Sequence, residues 1–351
     1  MKKIVKRSLL FLLLALLVFF IWLPENNYTT HPMRFLSNQD TLSGVFNIPD
    51  EAPKDSLTLL IFVHGDGALP ANAHGYYEPI WRHLAESGVA TLAWDKKGVG
   101  ASQGNWLAQD MEARAQEVRD AIAYARTHPK WRFSKIGVIG FSQGGWVLPL
   151  IGSHSTVPSP DFMIIVSGAI NWMEQSNYLT TQRLKREGKN ARQIAEALVQ
   201  NRKDHHFLLQ NKTYEAYIAR EHQKQARLES KLNLMTKERY YFVQKNMKAD
   251  ATAGLGQLKC PVFALFGNKD LNVDFQKSAT SYQKIFRKHQ PVSYLVKTYK
   301  DATHGLLKFQ HFQTMKPGAT FVWKFWLFGK NAFVPSVLDD IQAFTLHQKV
   351  E

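Results

Sequence analysis

The sequence contains a single cysteine, Cys260, which excludes an intrachain disulfide. Cys260 stands just before Pro261 and an apolar run, where a small buried hydrophobe is expected. No Cys/His grouping has the spacing of a zinc site. The adjacent His205 and His206 point apart on a helix and read as surface residues. Acidic residues are scarce: 29 Asp and Glu stand against 44 Lys and Arg, a formal charge of +15. Such a balance favours anionic surfaces such as phospholipid headgroups, cell-wall polymers or nucleic acid. No nucleic-acid-binding motif accompanies it and the basic residues are spread along the chain, which leaves a membrane surface or plain solubilising charge. Internal repeats and low-complexity tracts are missing as well. What is abundant is apolar: 45% hydrophobic and 12% aromatic residues supply a large core and exclude global disorder.

The N-terminus has no small-residue cleavage site and no cysteine for lipid attachment. A basic lead, Met1 to Arg7, precedes the apolar stretch Ser8 to Leu23, near the shortest length that spans a bilayer. Residues 1–24 therefore read as an uncleaved signal anchor, with a cleaved signal peptide as the alternative. The charge bias sets the N-terminus in the cytoplasm and exports the rest, to the periplasmic or extracellular side.

Beyond a polar linker, Met33 to Ile48 predicts an opening hairpin with Asn38-Gln39-Asp40 at its turn. Leu57–Val63 and Val89–Trp94 are continuous apolar runs, as expected of strands buried on both faces. Helices are predicted over Tyr76–Ser87 and over Gln109–Thr127, the latter with charges on one side. Further strands fall before Ser142, at Asp161–Ser167, at Pro261–Phe266 and at Val292–Val296. Strands alternating with helices mean a mostly parallel sheet with right-handed crossovers. The alternation divides the core into residues 33–170 and 251–351. Between them, residues 171–250 carry sixteen Lys/Arg against nine Asp/Glu and almost no glycine or proline. This segment reads as a basic helical lid, with a surface decoration as the alternative. Its aromatic residues Trp172, Tyr178, Phe207 and Tyr217 are candidates for an acyl pocket or for the insertion's own core.

Gly140-Phe141-Ser142-Gln143-Gly144-Gly145 places a serine between glycines, after a strand and at the start of a helix, in the form of a nucleophile elbow. A serine hydroxyl is a weak nucleophile until an imidazole oriented by a carboxylate takes its proton. Asp270 follows the strand ending at Phe266, and His304 follows the next strand. Loops at the carboxyl ends of parallel strands converge on one crevice, so Ser142, Asp270 and His304 are expected together. Asp274 is expected to start the following helix, and Asp301 is too near His304 in sequence to brace it easily. For a developing oxyanion, the amide of Gln143 is the first donor. The second is expected from His64-Gly65-Asp66-Gly67, with Asp66 the first choice and Gly67 the second; a plain glycine turn with a structural His64 is the rival reading.

With these motifs in this order, the core resembles α/β-hydrolases of the esterase, dienelactone-hydrolase-like and serine-aminopeptidase-like type, over Phe35–Ser167 and Cys260–Phe328. The resemblance implies an α/β-hydrolase fold with Ser142 as nucleophile, Asp270 as acid and His304 as base. Asp95 to Ser102 matches the family's Asp-x-Arg-Gly-x-Gly-x-Ser stretch except that Lys97 replaces arginine, and lysine lacks the planar fork. The expected activity is cleavage of a small-molecule or lipid-like carboxylic ester through an acyl-enzyme, without metal or organic cofactor. An exported peptidase or thioesterase is the alternative, and a non-catalytic binding module on the same scaffold is the alternative of another class.

Overall fold

The computed structural model describes residues 26–52, 56–152, 159–228, 234–314 and 318–349. The expected membrane anchor over residues 1–24 lies outside them. Among the described residues no helix is long and apolar enough to cross a membrane.

Eight strands form one sheet in the order β1-β2-β4-β3-β5-β6-β7-β8. Strands β1 (Tyr28–Ser37) and β2 (Asp40–Pro49) form the antiparallel hairpin, and β2 pairs antiparallel with β4 (Val89–Trp94). From β4 onward the pairing is parallel, through β3 (Leu57–Val63), β5 (Phe133–Phe141), β6 (Phe162–Val166), β7 (Val262–Gly267) and β8 (Tyr294–Tyr299). β4, β6 and β7 are buried along their whole length, which is why they read as unbroken apolar runs. β8 is different. It begins two residues later than expected, because Val292 is 75% exposed and lies outside the strand. As the edge strand it tolerates the polar stretch Lys297-Thr298, so hydrophobicity does not mark its limits.

Helices cover both faces of the sheet. One core layer joins the sheet to α2 (Met111–Arg126), α3 (Gly144–Ile151) and α9 (Phe275–His289). The other joins it to α1 (Glu78–Ala85), α10 (Ala319–Phe328) and α11 (Val337–His347). The helix starts are chemically marked. Asp110 caps α2 by accepting from the Ala113 amide at 2.7 Å, and Asp274 caps α9 by accepting from the Lys277 amide at 3.0 Å.

Residues 171–250 fold as four helices, α4 (Trp172–Arg186), α5 (Ala191–Leu209), α6 (Tyr214–Leu228) and α7 (Lys237–Asn246), after which the short α8 (Thr252–Gln257) leads to β7. A bridge between Asn171 and Asp250 closes this segment at its base. Phe207 and Tyr217 pack into a small core of their own with Tyr240 and Met247. His206 is exposed as expected. His205 departs from the surface reading: it is half-buried, with Nε2 3.3 Å from the Ser176 hydroxyl.

Candidate active site

The turn after β5 is fixed before any chemistry is asked of it. Ser142 has φ +52°, a left-handed backbone that a non-glycine residue holds only when its surroundings impose it. They do: its amide donates to the Val166 carbonyl at 2.8 Å, and its own carbonyl accepts from the Gly145 amide at 2.9 Å. A Cβ at Gly145 would stand 2.6 Å from Gly168 Cα, so glycine is what lets α3 start this close to the loop after β6. The serine side chain is left partly exposed above the sheet.

The loops after β7 and β8 are stitched to each other. Lys269 N–H donates to the Ala302 carbonyl at 2.8 Å, and Asp301 N–H donates to Asn268 Oδ1 at 2.7 Å. A Cβ on Gly267 would lie 2.3 Å from the Thr303 oxygen and 2.4 Å from the Ala302 oxygen. Gly267→Ala should therefore force the two loops apart and lower stability by about 1–3 kcal/mol, as overpacking does. A denaturant midpoint equal to wild type would show that the loops can separate freely.

This stitching sets Asp270 against His304. Asp270 Oδ1 accepts from the amides of Asn272 at 2.7 Å and Val273 at 2.9 Å, and Oδ2 lies 2.7 Å from His304 Nδ1. The Asp270 side chain is fully buried, whereas that of His304 is 22% exposed. Burial alone would lower the His304 pKa, but the charge and hydrogen bond of Asp270 outweigh it and hold it above the usual histidine value. With Nδ1 engaged, Nε2 is the nitrogen left for a substrate proton. Among the described residues Ser142 makes no hydrogen bond to His304; such bonds are often long without substrate. Tyr76 ties the two neighbourhoods together. Its hydroxyl donates to the Gly305 carbonyl at 2.8 Å, and its ring lies 5.7 Å from that of Phe141.

The loop after β3 sits over the elbow: a Cβ on Gly65 would be 3.4 Å from Ser142 Cβ. The Gln143 and Asp66 amides make no hydrogen bond among the described residues, whereas the Gly67 amide is turned toward the Asp66 carboxylate. His64 is buried, with Nδ1 3.2 Å from the Tyr77 hydroxyl and Nε2 2.6 Å from the Trp94 carbonyl. Burial pushes its pKa down to about 3, so it is a neutral brace for the loop. Among the described residues no cluster of three or more His, Cys, Asp or Glu is arranged to hold a metal ion.

A serine elbow, a buried Asp–His pair and two free amides at the same end of one sheet give the geometric setting for the comparison with known proteins. The model of the serine aminopeptidase S33 family matches residues 55–309. The chain belongs to this family. An esterase of Pyrococcus furiosus has the same fold with a TM-score of 0.51 at 16% identity, over 79% of this chain and 84% of its own. An α/β hydrolase from a Penicillium species gives 0.50 at 16%, over 79% and 91%. An acylaminoacyl peptidase of Pyrococcus horikoshii gives 0.50 at 14%, over 82% of this chain but 39% of its own. Likeness at such identity is a likeness of fold. No curated protein matches the sequence significantly.

This S33 family member also carries supporting residues around the site, several of which its sequence did not flag. The charges of α2 were expected on one side of the helix, and Arg114, Glu117 and Arg119 among them are all buried. Arg114 donates to the Gln143 side chain at 2.6 Å and also to the His64 carbonyl, joining both loops that carry the free amides. Lys96 is buried too and donates to the Gly65 carbonyl at 3.1 Å; burial, then the nearby Arg114 charge, holds its pKa well below the usual lysine value. Lys97, the departure from the family's arginine, spans two carboxylates with one ammonium, 2.9 Å from Asp40 and 3.9 Å from Glu117. From the four-helix insertion, Tyr178 donates to the Asp270 carbonyl at 2.8 Å, and Arg239 grips the Asp66 carboxylate at 2.9 and 2.8 Å. Burial works to raise the Asp66 pKa, but Arg239 overrides it and the value falls. The acidic side chain thus faces the insertion, and its Oδ1 also accepts from the Gln143 side chain of the elbow at 3.4 Å.

Proposed function

We propose that this S33-family hydrolase cleaves a carboxylic ester by an acyl-enzyme route. The observation that carries the proposal is the Asp270–His304 contact of 2.7 Å on loops bound to the neighbourhood of a left-handed Ser142. Ser142 Oγ attacks the acyl carbon while His304 Nε2 takes its proton. The Asp270 carboxylate accepts from Nδ1–H, fixing the tautomer and stabilising the imidazolium. The Gln143 and Asp66 amides receive the oxyanion of the tetrahedral intermediate, and collapse passes the proton to the leaving alcohol. Water, deprotonated by the same imidazole, then releases the acid and restores Ser142.

Incubation of wild type and Ser142→Ala with a fluorophosphonate probe tests the nucleophile directly. Labelling should appear in wild type and vanish in the folded variant. Wild type that folds and stays unlabelled would leave a binding module on a hydrolase scaffold. A panel of acyl esters, thioesters and aminoacyl amides, compared by kcat/KM, would then rank ester against the peptide chemistry that the family's name suggests.

A further inference from the structure

Helix α10, Ala319–Phe328, has the sequence ATFVWKFWLF and is apolar almost all round. A soluble helix of that kind is ordinarily enclosed. Here only one side is. Phe325 is buried against Tyr76, Phe312 and Phe333, with ring centroids 5.7, 6.2 and 6.1 Å away. The other side is exposed, Val322 to 50%, Trp323 to 62%, Trp326 to 49% and Leu327 to 42%, and all of these but Trp323 also line the open cleft that His304 lines. These four recur at helical spacing and form one continuous stripe.

We propose that this outer stripe of α10 is a docking surface for a phospholipid bilayer, with the helix lying in the headgroup–acyl boundary. Three observations select that occupant. Tryptophan, with an apolar body and a polar N–H, is the side chain favoured at membrane interfaces, and two of the four stripe residues are tryptophans. Lys324 flanks the stripe and suits anionic headgroups, whereas Lys330 is paired with Glu86 at 3.4 Å. Above all, the chain enters the described structure on the rim of the same open cleft that α10 walls. That cleft of about 1920 Å³ is lined by Asn26 and Tyr28, by Val322, Phe325, Trp326 and Leu327 of α10, and by His304. In sequence, the apolar Ser8–Leu23 stretch ends three positions before Asn26. A second copy of the chain is a poorer fit. A ten-residue helix is about 15 Å long, and one such face falls far short of the ~800 Å² per partner of a stable interface.

The surface is read from exposure and position alone, and its test measures no turnover. The full chain is reconstituted in vesicles of phosphatidylcholine and phosphatidylglycerol in equal parts. It carries a polarity-sensitive fluorophore on Val322→Cys or, as control, on Val199→Cys, which replaces an exposed valine of the four-helix insertion. Cys260 is spared at neutral pH because burial raises its thiol to about 12. Spin-labelled lipid should quench the probe at 322 at least threefold more than the probe at 199, with a blue-shifted emission. Equal quenching at the two positions, or none at 322, would overturn the proposal. Self-quenching between labels at 322 without lipid quenching would assign the stripe to a second copy and overturn it as well.

Discussion

Ser142→Ala is expected to lower kcat/KM toward an activated acyl ester by roughly a million-fold, with His304→Ala and the double variant losing about as much. The equality is the informative part. On the proposed route Oγ is nucleophilic only while Nε2 receives its proton, so removing either partner removes one shared function and the second removal costs little more. The folded chain should survive both changes. Ser142 is held by its backbone bonds to Val166 and Gly145, and His304 by the loop that Tyr76 and Asn268 anchor. What remains, about 10³–10⁴ over the uncatalysed rate, would come from the Gln143 and Asp66 amides. Single-turnover measurements on the three variants check this. Losses that multiply in the double variant would mean that serine and histidine act separately, and retained turnover in His304→Ala would mean that another base serves.

Asp270→Asn should lower kcat by about 10⁴ with little change in stability. Asparagine keeps an oxygen for the Asn272 and Val273 amides at 2.7 and 2.9 Å, so the loop retains its internal bonds. The change falls on the side that faces His304. An amide NH₂ there donates to Nδ1, moves the imidazole proton to Nε2 and leaves no base toward Ser142. It also removes the charge that raises the His304 pKa. In wild type, activity needs neutral His304 and should fall as pH drops through a value above that of free histidine. In the variant this acid limb should move to lower pH. A variant with a wild-type limb would show that another group sets the His304 pKa.

The sheet was legible because its inner strands are buried on both faces. Leu57–Val63 and Val89–Trp94 are strands with the limits that their apolar runs predict. The alternation of strands and helices predicts the mostly parallel sheet, and the α/β-hydrolase fold that the resemblance implies agrees with the matched family and the superposed structures. The residues Ser142, Asp270 and His304 could be picked out because each follows a recognisable strand. Their supports could not, since they are pairings between distant stretches. Tyr76 and Gly305 are separated by 229 positions and Arg239 and Asp66 by 173, and no local pattern announces either contact. The burial of the α2 charges was not legible for a related reason. Arg114 looks like any solvated helix arginine until the His64 carbonyl and the Gln143 side chain are known to lie beneath it. The stripe on α10 shows the converse, since an apolar sequence does not say which of its sides the fold covers.

The bridge between Asn171 and Asp250 has a consequence for how such a chain can vary. Trp172 N–H donates to the Ala249 carbonyl at 3.0 Å and Ala251 N–H to the Ile170 carbonyl at 2.9 Å, so the insertion leaves and rejoins the core at one point. The sheet therefore does not register how much polypeptide lies beyond that point, and doubling a closed segment adds only about 0.6 kcal/mol of closure entropy. A different set of helices could be spliced between the same two residues without disturbing the strand order beneath. The helices that reach Asp270 and Asp66 would then be interchangeable hardware on a fixed chassis, free to diverge while the sheet stays under tight geometric constraint.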